Sequence, residues 1–311
     1  MQAHRPVAKI LLAFAIIYFV WGSTFFFIRV GVQQMPPLVM AALRFLVAGV
    51  VLVGWRAARG EHLPAPRQWA SSFLLGFLIF VCDYGLLFWA EQIVPSGIAA
   101  VLMATIPVFI VIFEVTLLRT QRFTARLVFA LIVGIAGVAA LVSHSLNLAD
   151  QPVNKLGAAA LMLASIAWSI SSVLTRRLPL PSSKVMSAGS QMLAGGLLLV
   201  VAAAAFGQFR EFHPRAVSDA GWFALAYLIV FGSLIGFTAY VWLLHHESPT
   251  KVGTYAYVNP VIAVLVGYFF GGETLGVRTL IGTGCVLISV IMITTARSRK
   301  PEPERELAAR R

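Results

Sequence analysis

The chain has 311 residues, 59% hydrophobic and only 12% charged, with a net charge of +12 and a mean hydropathy of +0.86. A soluble domain carries about 25% charged residues, and no core of this size absorbs such an apolar surplus, so a water-soluble enzyme or binding module is excluded. The class indicated is an all-α integral membrane protein.

In chain order, ten apolar segments have the ~20 residues that a helix needs to cross a bilayer. They are 8–31, 36–56, 69–90, 96–118, 124–142, 156–176, 183–206, 219–243, 250–271 and 277–296. The first is long, contains Trp21 and has no small-residue cleavage site before the next segment, so it reads as a retained helix and not a removed signal peptide. The second carries Arg44 at its middle. The third, FLIFVCDYGLLFWAEQ, carries Asp83, the deepest acid of the chain, and Tyr84 directly after it. The fourth holds Pro107 and Glu114, the sixth Trp168, and the ninth opens on SPTKVGTYAYVNP, polar residues set into oil. Cys82 and Cys285 fall inside segments and read as small apolar filler. The tail, 297–311, is short, charged and expected to be disordered.

The positive charge is distributed by loop and not gathered into a nucleic-acid-binding patch. Of 24 basic residues, 18 lie on one face, in both tails and in the loops around Arg56, Arg119, Arg176 and Lys251. That bias marks the cytoplasmic side and places both termini there.

The chain also repeats itself. Trp21 in YFVWGSTFFFIR has its echo 147 residues later at Trp168 in SIAWSISSVLTRR, and the same offset takes Gly49 to Gly196. Pro95–Pro107 echoes Pro249–Pro260, and FTARLVFALIVGIAGVAAL echoes LGVRTLIGTGCVLISVIMI. Residues 8–142 and 156–296 therefore read as two copies of a five-helix unit. Five is odd, so the second copy enters the membrane from the opposite side. Inverted repeats of this kind are a plan of secondary transporters, with the substrate site near midplane between the halves; a duplicated scaffold without transport is the plainer alternative.

The stretches FVWGSTFFFIRVGVQQMPPLVMAALRFLVAG, SIAWSISSVLTRR and NPVIAVLVGYFFGGETLGVRTLIGTGCVLISVI resemble the EamA family of the drug/metabolite transporter superfamily, over a span from about Ala8 to Ala296. The resemblance implies ten helices, cytoplasmic termini, a bacterial inner-membrane location and a central cavity lined by the first, third, fourth, sixth, eighth and ninth helices. It also implies export of small metabolites, and it is the chief basis for expecting amino acids, aromatic ones included, as cargo. Drugs, purines or nucleosides, and sugars are the alternatives within transport. A membrane-embedded scaffold or lipid-handling enzyme is the alternative of another class. One departure is visible: the family's Gly-Glu pair appears as Gly272-Glu273, whereas the first copy has Thr120-Gln121.

The candidate site residues follow from what hydrocarbon cannot satisfy. Pro107 and Pro260 lack an N–H and free the carbonyls of Met103 and Ala256, which makes them either hinges or passive kinks. The Asn259 amide needs partners that lipid does not supply. Tyr255 and Tyr257 offer a flat face and one hydroxyl to an organic ligand, or serve as packing residues. Trp21 and Trp168 sit deep in their helices, as cavity aromatics or as core. An intramembrane acid is a functional-site hypothesis by default; Asp83, beside Tyr84, binds a substrate amine or a proton, or else pairs structurally with Arg44. Glu114 reads as structural. Glu91, His245, His246 and Glu247 read as solvated span ends. Aromatic and neutral residues outnumber charges, which suits neutral or zwitterionic cargo. There is no zinc spacing, no phosphate-binding glycine loop and no nucleophile with a base, so no cofactor, metal, ATP or catalytic role is expected.

Overall fold

Prolines and small polar side chains decide where the helices begin. The computed structural model describes residues 7–94, 99, 102–145, 154–262 and 277–295. Within them α1 (Val7–Val32) is followed by α2 (Pro37–Ala58) and α3 (Pro66–Ala90), the latter two opening on proline. Proline suits a first turn because its missing N–H has no helical partner there. Next come α4 (Ile106–Leu118) and α5 (Ala125–Ser145). The helices α6 (Lys155–Leu174), α7 (Lys184–Ala205) and α8 (Asp219–His246) each follow a capping side chain. Asn154, Ser183 and Ser218 accept from the backbone N–H groups of Gly157, Met186 and Gly221, satisfying donors that the first turn otherwise leaves orphaned. α9 starts at Pro249–Val252 under a Ser248 cap, turns at Gly253–Thr254 and resumes over 255–262; α10 is Val277–Thr294.

These helices fall on the expected segments. Six of them, α1, α2, α3, α6, α7 and α8, are long and apolar enough to cross a membrane, and shorter apolar helices lie at Ile106–Leu118, Ala125–Ala140 and Ile281–Thr294. On α1, Leu12, Phe19 and Phe26 recur every seven residues and are exposed, whereas Ile17, Trp21 and Ile28 face inward. An outer surface of leucine and phenylalanine fits acyl chains and not water. Pro95, residues 263–276 with the Gly272-Glu273 pair, and the tail 297–311 lie outside the described residues.

Glycines bring helices of the two halves into backbone contact. A Cβ on Gly49 of α2 would lie 2.5 Å from the Leu193 backbone nitrogen of α7, and one on Gly196 of α7 would lie 2.8 Å from the Leu46 nitrogen of α2. Leu46 and Leu193 are themselves 147 residues apart, so the contact is reciprocal. α5 and α10 approach in the same manner at Gly137, where a Cβ would lie 2.8 Å from that of Cys285. Small residues at such seams are how membrane helices gain close van der Waals contact.

α3 and α8 each contain a π-helical stretch, Phe77–Gly85 and Leu228–Phe237. The wider turn shifts which side chains face the core, and such stretches recur at functional sites. Arg44, 1% exposed, joins the two. Its Nε donates to Ser233 Oγ on α8 at 2.9 Å, and its guanidinium carbon lies 5.0 Å from the centroid of the Tyr84 ring on α3.

The breaks near the prolines are not placed as the sequence suggests. Before Pro107 the chain turns at Ala104–Thr105, and a new helix starts at Ile106. Pro107 therefore stands in a first turn and not in a helix interior. The Leu102 carbonyl is taken by the Thr105 backbone N–H at 3.1 Å and by its hydroxyl at 2.6 Å. In α9 the turn at Gly253–Thr254 lies six residues before Pro260, and the helix runs on through that proline.

Candidate functional site

A central cavity lies where α1, α3, α6 and α9 converge with the segment leading into α4. α1 contributes Trp21, Thr24 and Phe25; α3 contributes Asp83 and Tyr84; Met103 and Ile106 close one side; α6 contributes Trp168; α9 contributes Tyr255, Asn259 and Pro260. The walls are aromatic. Trp21 meets Trp168 edge to face with centroids 5.5 Å apart, and meets Tyr255 edge to face at 4.8 Å. Tyr84 approaches Trp168 at 5.8 Å, and Tyr240 of α8 tilts against both tryptophans at 5.1 Å. Trp21 is fixed by its indole N–H, which donates to the Gly232 carbonyl at 3.1 Å. Tyr240 is fixed by a hydrogen bond with the Ser172 hydroxyl.

Within this aromatic box three buried polar atoms have no hydrogen-bond partner: Asp83 Oδ1, Asn259 Oδ1 and Trp168 Nε1. Their side chains belong to residues 2%, 4% and 3% exposed. Each unmet group costs about 1–3 kcal/mol, and a charged one more. All three atoms are covered in this closed arrangement, and the Trp168 N–H lies toward the Tyr240 and Tyr255 hydroxyls. The space itself is small, about 50 Å³, room for a few water molecules, against roughly 300–1,000 Å³ for sites that enclose organic ligands.

Seven of the nine residues singled out from the sequence line this cavity: Trp21, Asp83, Tyr84, Trp168, Tyr255, Asn259 and Pro260. Tyr257 does not. It is fully buried in a separate cluster with residues of α5 and α10, donates its hydroxyl to the Leu131 carbonyl at 3.2 Å and packs where Gly134 leaves room. Pro107 is buried in α4 and is not among the lining residues.

Asp83 and Arg44 form no ion pair among the described residues; Arg44 is engaged with Ser233 and the Tyr84 and Phe45 rings. Glu114 is 1% exposed and ties α4 to α9. Its Oε2 accepts the Thr250 backbone N–H at 3.0 Å and the Thr250 hydroxyl at 2.6 Å, while Oε1 accepts the Thr120 hydroxyl at 3.1 Å. Glu91, expected at a solvated span end, is instead 7% exposed with neither oxygen hydrogen-bonded. Burial pushes its carboxyl up to about 8, with the Arg29 guanidinium acting against the rise.

The sequence does not single out Tyr240, which packs against Trp21 and Trp168 without itself lining the cavity. It sits in an apolar run, WFALAYLIVFGSLIGFTAYVWLL, rich in aromatic residues. The π-helical stretch just before it rotates the inward face, so a 3.6-residue period carried along α8 misplaces it. Counting back from Pro95 and Pro249, Asp83 corresponds to Phe237, so the second copy supplies no matching acid.

The profile of the EamA-like transporter family matches residues 8–143 and 155–295. Among curated proteins, the chain is 37% identical to the uncharacterized inner membrane transporter YedA of Escherichia coli K12 over 295 residues, covering 94% of this chain and 93% of that one. It is 27% identical to protein PecM of Dickeya dadantii, over 91% of this chain and 93% of PecM. It is 23% identical to an uncharacterized transporter of Archaeoglobus fulgidus, over 93% and 99% of the two chains. One solved crystal structure superposes with a TM-score of 0.73 at 21% identity, covering 93% of this chain and 97% of the other, a likeness of fold.

Proposed function

The chain belongs to the EamA-like transporter family, and from that premise we propose that it exports small metabolites, amino acids foremost, neutral and aromatic ones included, across a bacterial inner membrane by alternating access through the cavity around Trp21 and Trp168. The observation that carries the cargo reading is the set of three unpartnered atoms in one aromatic box. The Asp83 and Asn259 oxygens are acceptors for an ammonium group, and the Trp168 N–H is a donor for a carboxylate. Aromatic faces attract cations as well as apolar rings. An ionised carboxylate buried at midplane costs several kcal/mol unless a cation meets it, so Asp83 favours either a substrate amine or a proton in this closed arrangement.

Two inverted five-helix units, 8–142 and 156–296, with both termini cytoplasmic, are the architecture this reading uses. The reciprocal contact of Gly49 with Leu193 and Leu46 with Gly196 supports it, because only a two-fold relation brings residue i against j′ and j against i′. A cavity of about 50 Å³ is too small for cargo, so the halves must part. In this reading the chain flexes at the turns that precede α4, Ala104–Thr105, and interrupt α9, Gly253–Thr254, with Pro107 and Pro260, the hinges expected from the sequence, a few residues beyond them.

The test is uptake of labelled amino acids by liposomes holding the purified protein, with and without an imposed pH gradient. Saturable uptake of aromatic or neutral amino acids is the expected result, and acceleration by the gradient assigns a proton to the cycle. Folded protein that moves no amino acid, but moves nucleosides or sugars, overturns the cargo assignment.

A further inference from the structure

A second space lies on the outside of the bundle, away from the central cavity, between α1, the first turn of α7 and α8. It measures about 300 Å³. Its walls are Leu12 and Ile16 of α1, Val185 of α7, and Leu234, Ile235 and Trp242 of α8. Two ammonium groups stand at it, Lys9 and Lys184, and neither takes part in an ion pair among the described residues. The groove runs along α1: Lys9 and Ile16 are seven residues apart on that helix, ~10 Å along its axis. Leu12 and Ile235 are exposed, so lipid reaches the groove directly.

A polar side chain inside it is left over. The Thr238 hydroxyl lines the groove and has no hydrogen-bond partner. Thr116, Thr294 and Thr295 each give their hydroxyl to the carbonyl four residues back. Four residues before Thr238 is Leu234, inside the π-helical stretch where the turn is wider, and that bond is missing. The surroundings at the lysine end are basic. Arg176, Lys184 and His246 direct positive charge at His245, and the His246 ring stacks on Trp242 at 3.8 Å. The nearby acid, Glu247, pairs with Lys251 at 3.2 Å.

We propose that this groove binds one anionic glycerophospholipid. The phosphate meets Lys9 and Lys184, the hydroxyl of Thr238 donates to an ester oxygen below it, and an acyl chain lies against Leu12, Ile16, Ile235 and Trp242. Charge decides among occupants: a zwitterionic lipid offers the same tails but brings its own cation to two lysines. Lys9 and Lys184 stand in the first turns of α1 and α7, next to the basic tail and the Arg176–Arg177 loop, and anionic headgroups are attracted by about 1 kcal/mol per basic residue near a membrane surface. The lipid bridges α1 of the first half to α7 and α8 of the second.

The test is native mass spectrometry of the full chain in detergent, titrated with phosphatidylglycerol or with phosphatidylcholine of the same acyl composition. One phosphatidylglycerol should be retained at about thirtyfold lower lipid concentration than phosphatidylcholine, two lysines at about 1 kcal/mol each. Lys9→Gln with Lys184→Gln should bring the two lipids level. Ile235→Trp, which fills the groove without altering charge, should lose both. Equal retention of the two lipids by the unaltered protein overturns the proposal, as does phosphatidylglycerol retention that either variant leaves unchanged.

Discussion

Trp21 and Trp168 stand 147 residues apart in sequence and meet edge to face, ring centroids 5.5 Å apart, at the wall of the central cavity. Their bonding is not alike. The Trp21 N–H is held by the Gly232 carbonyl, whereas the Trp168 N–H has no partner. One tryptophan is fastened to a backbone carbonyl, and the other is held by ring contacts with Trp21, Tyr84 and Tyr240.

That difference separates packing from function by substitution. Trp168→Phe keeps an aromatic ring and removes an N–H that makes no well-aligned hydrogen bond, only an approach to the Tyr240 and Tyr255 hydroxyls, so thermal stability in detergent should hold within about 1 kcal/mol while uptake falls about tenfold or more, the worth of one hydrogen bond to a charged group. Trp21→Phe breaks an existing bond and should cost about 1–2 kcal/mol of stability. Wild-type uptake by Trp168→Phe would return that residue to the packing core.

Glu114 spans two elements that must move relative to each other if α9 bends. It holds the Thr250 N–H and hydroxyl with one oxygen and the Thr120 hydroxyl with the other. Glu114→Ala leaves the two buried Thr250 donors and the half-buried Thr120 hydroxyl unmet and should destabilise by about 2–3 kcal/mol or more; Glu114→Gln, which keeps one acceptor, should recover part of that. Thermal denaturation of the two variants checks the order.

The seam of α2 with α7 has no room for a side chain at Gly49. Gly49→Leu should cost about 2–3 kcal/mol, or prevent folding, because the overpacked contact includes the Leu193 backbone. Gly54→Leu, one and a half turns further on with open space around it, should leave folded yield and melting temperature unchanged. Yield and melting of the pair measure the difference.

Glu91 gives a pH dependence of known sign. Its carboxyl is raised from 4.5 to about 8 by burial, so between those values the folded chain keeps a proton that the unfolded chain has lost. Stability therefore declines as pH rises through that window, and is flat below and above it. Glu91→Gln should remove the slope, read from melting temperatures at about pH 5, 6.5 and 8.

The helix positions were legible because oil crossing a bilayer imposes length, and because Pro37, Pro66, Ser183, Ser218 and Ser248 mark first turns in the sequence itself. Trp21, Asp83, Trp168 and Asn259 were legible as polar or bulky groups that lipid cannot satisfy. Tyr257 misled for a physical reason: a neighbouring helix backbone, the Leu131 carbonyl, satisfies its hydroxyl as well as a cargo would. Glu91 misled because its place in sequence says nothing of what covers it. For Arg44 the sequence leaves a pairing with Asp83 as one of two open readings; Ser233 and Tyr84, brought together by two π-helical stretches, hold it instead. No α-helical period anticipates that meeting.

The central claim is that the Asp83 carboxylate meets the amine of the cargo. It is tested most directly by transport of an aromatic amino acid and of its N-acetyl form, in liposomes bearing either the unaltered protein or Asp83→Asn. The account predicts at least about tenfold preference for the free amine in the unaltered protein, the worth of one charge-assisted hydrogen bond, and loss of that preference in Asp83→Asn. Equal transport of both forms by the unaltered protein, or an undiminished preference in the variant, would contradict it.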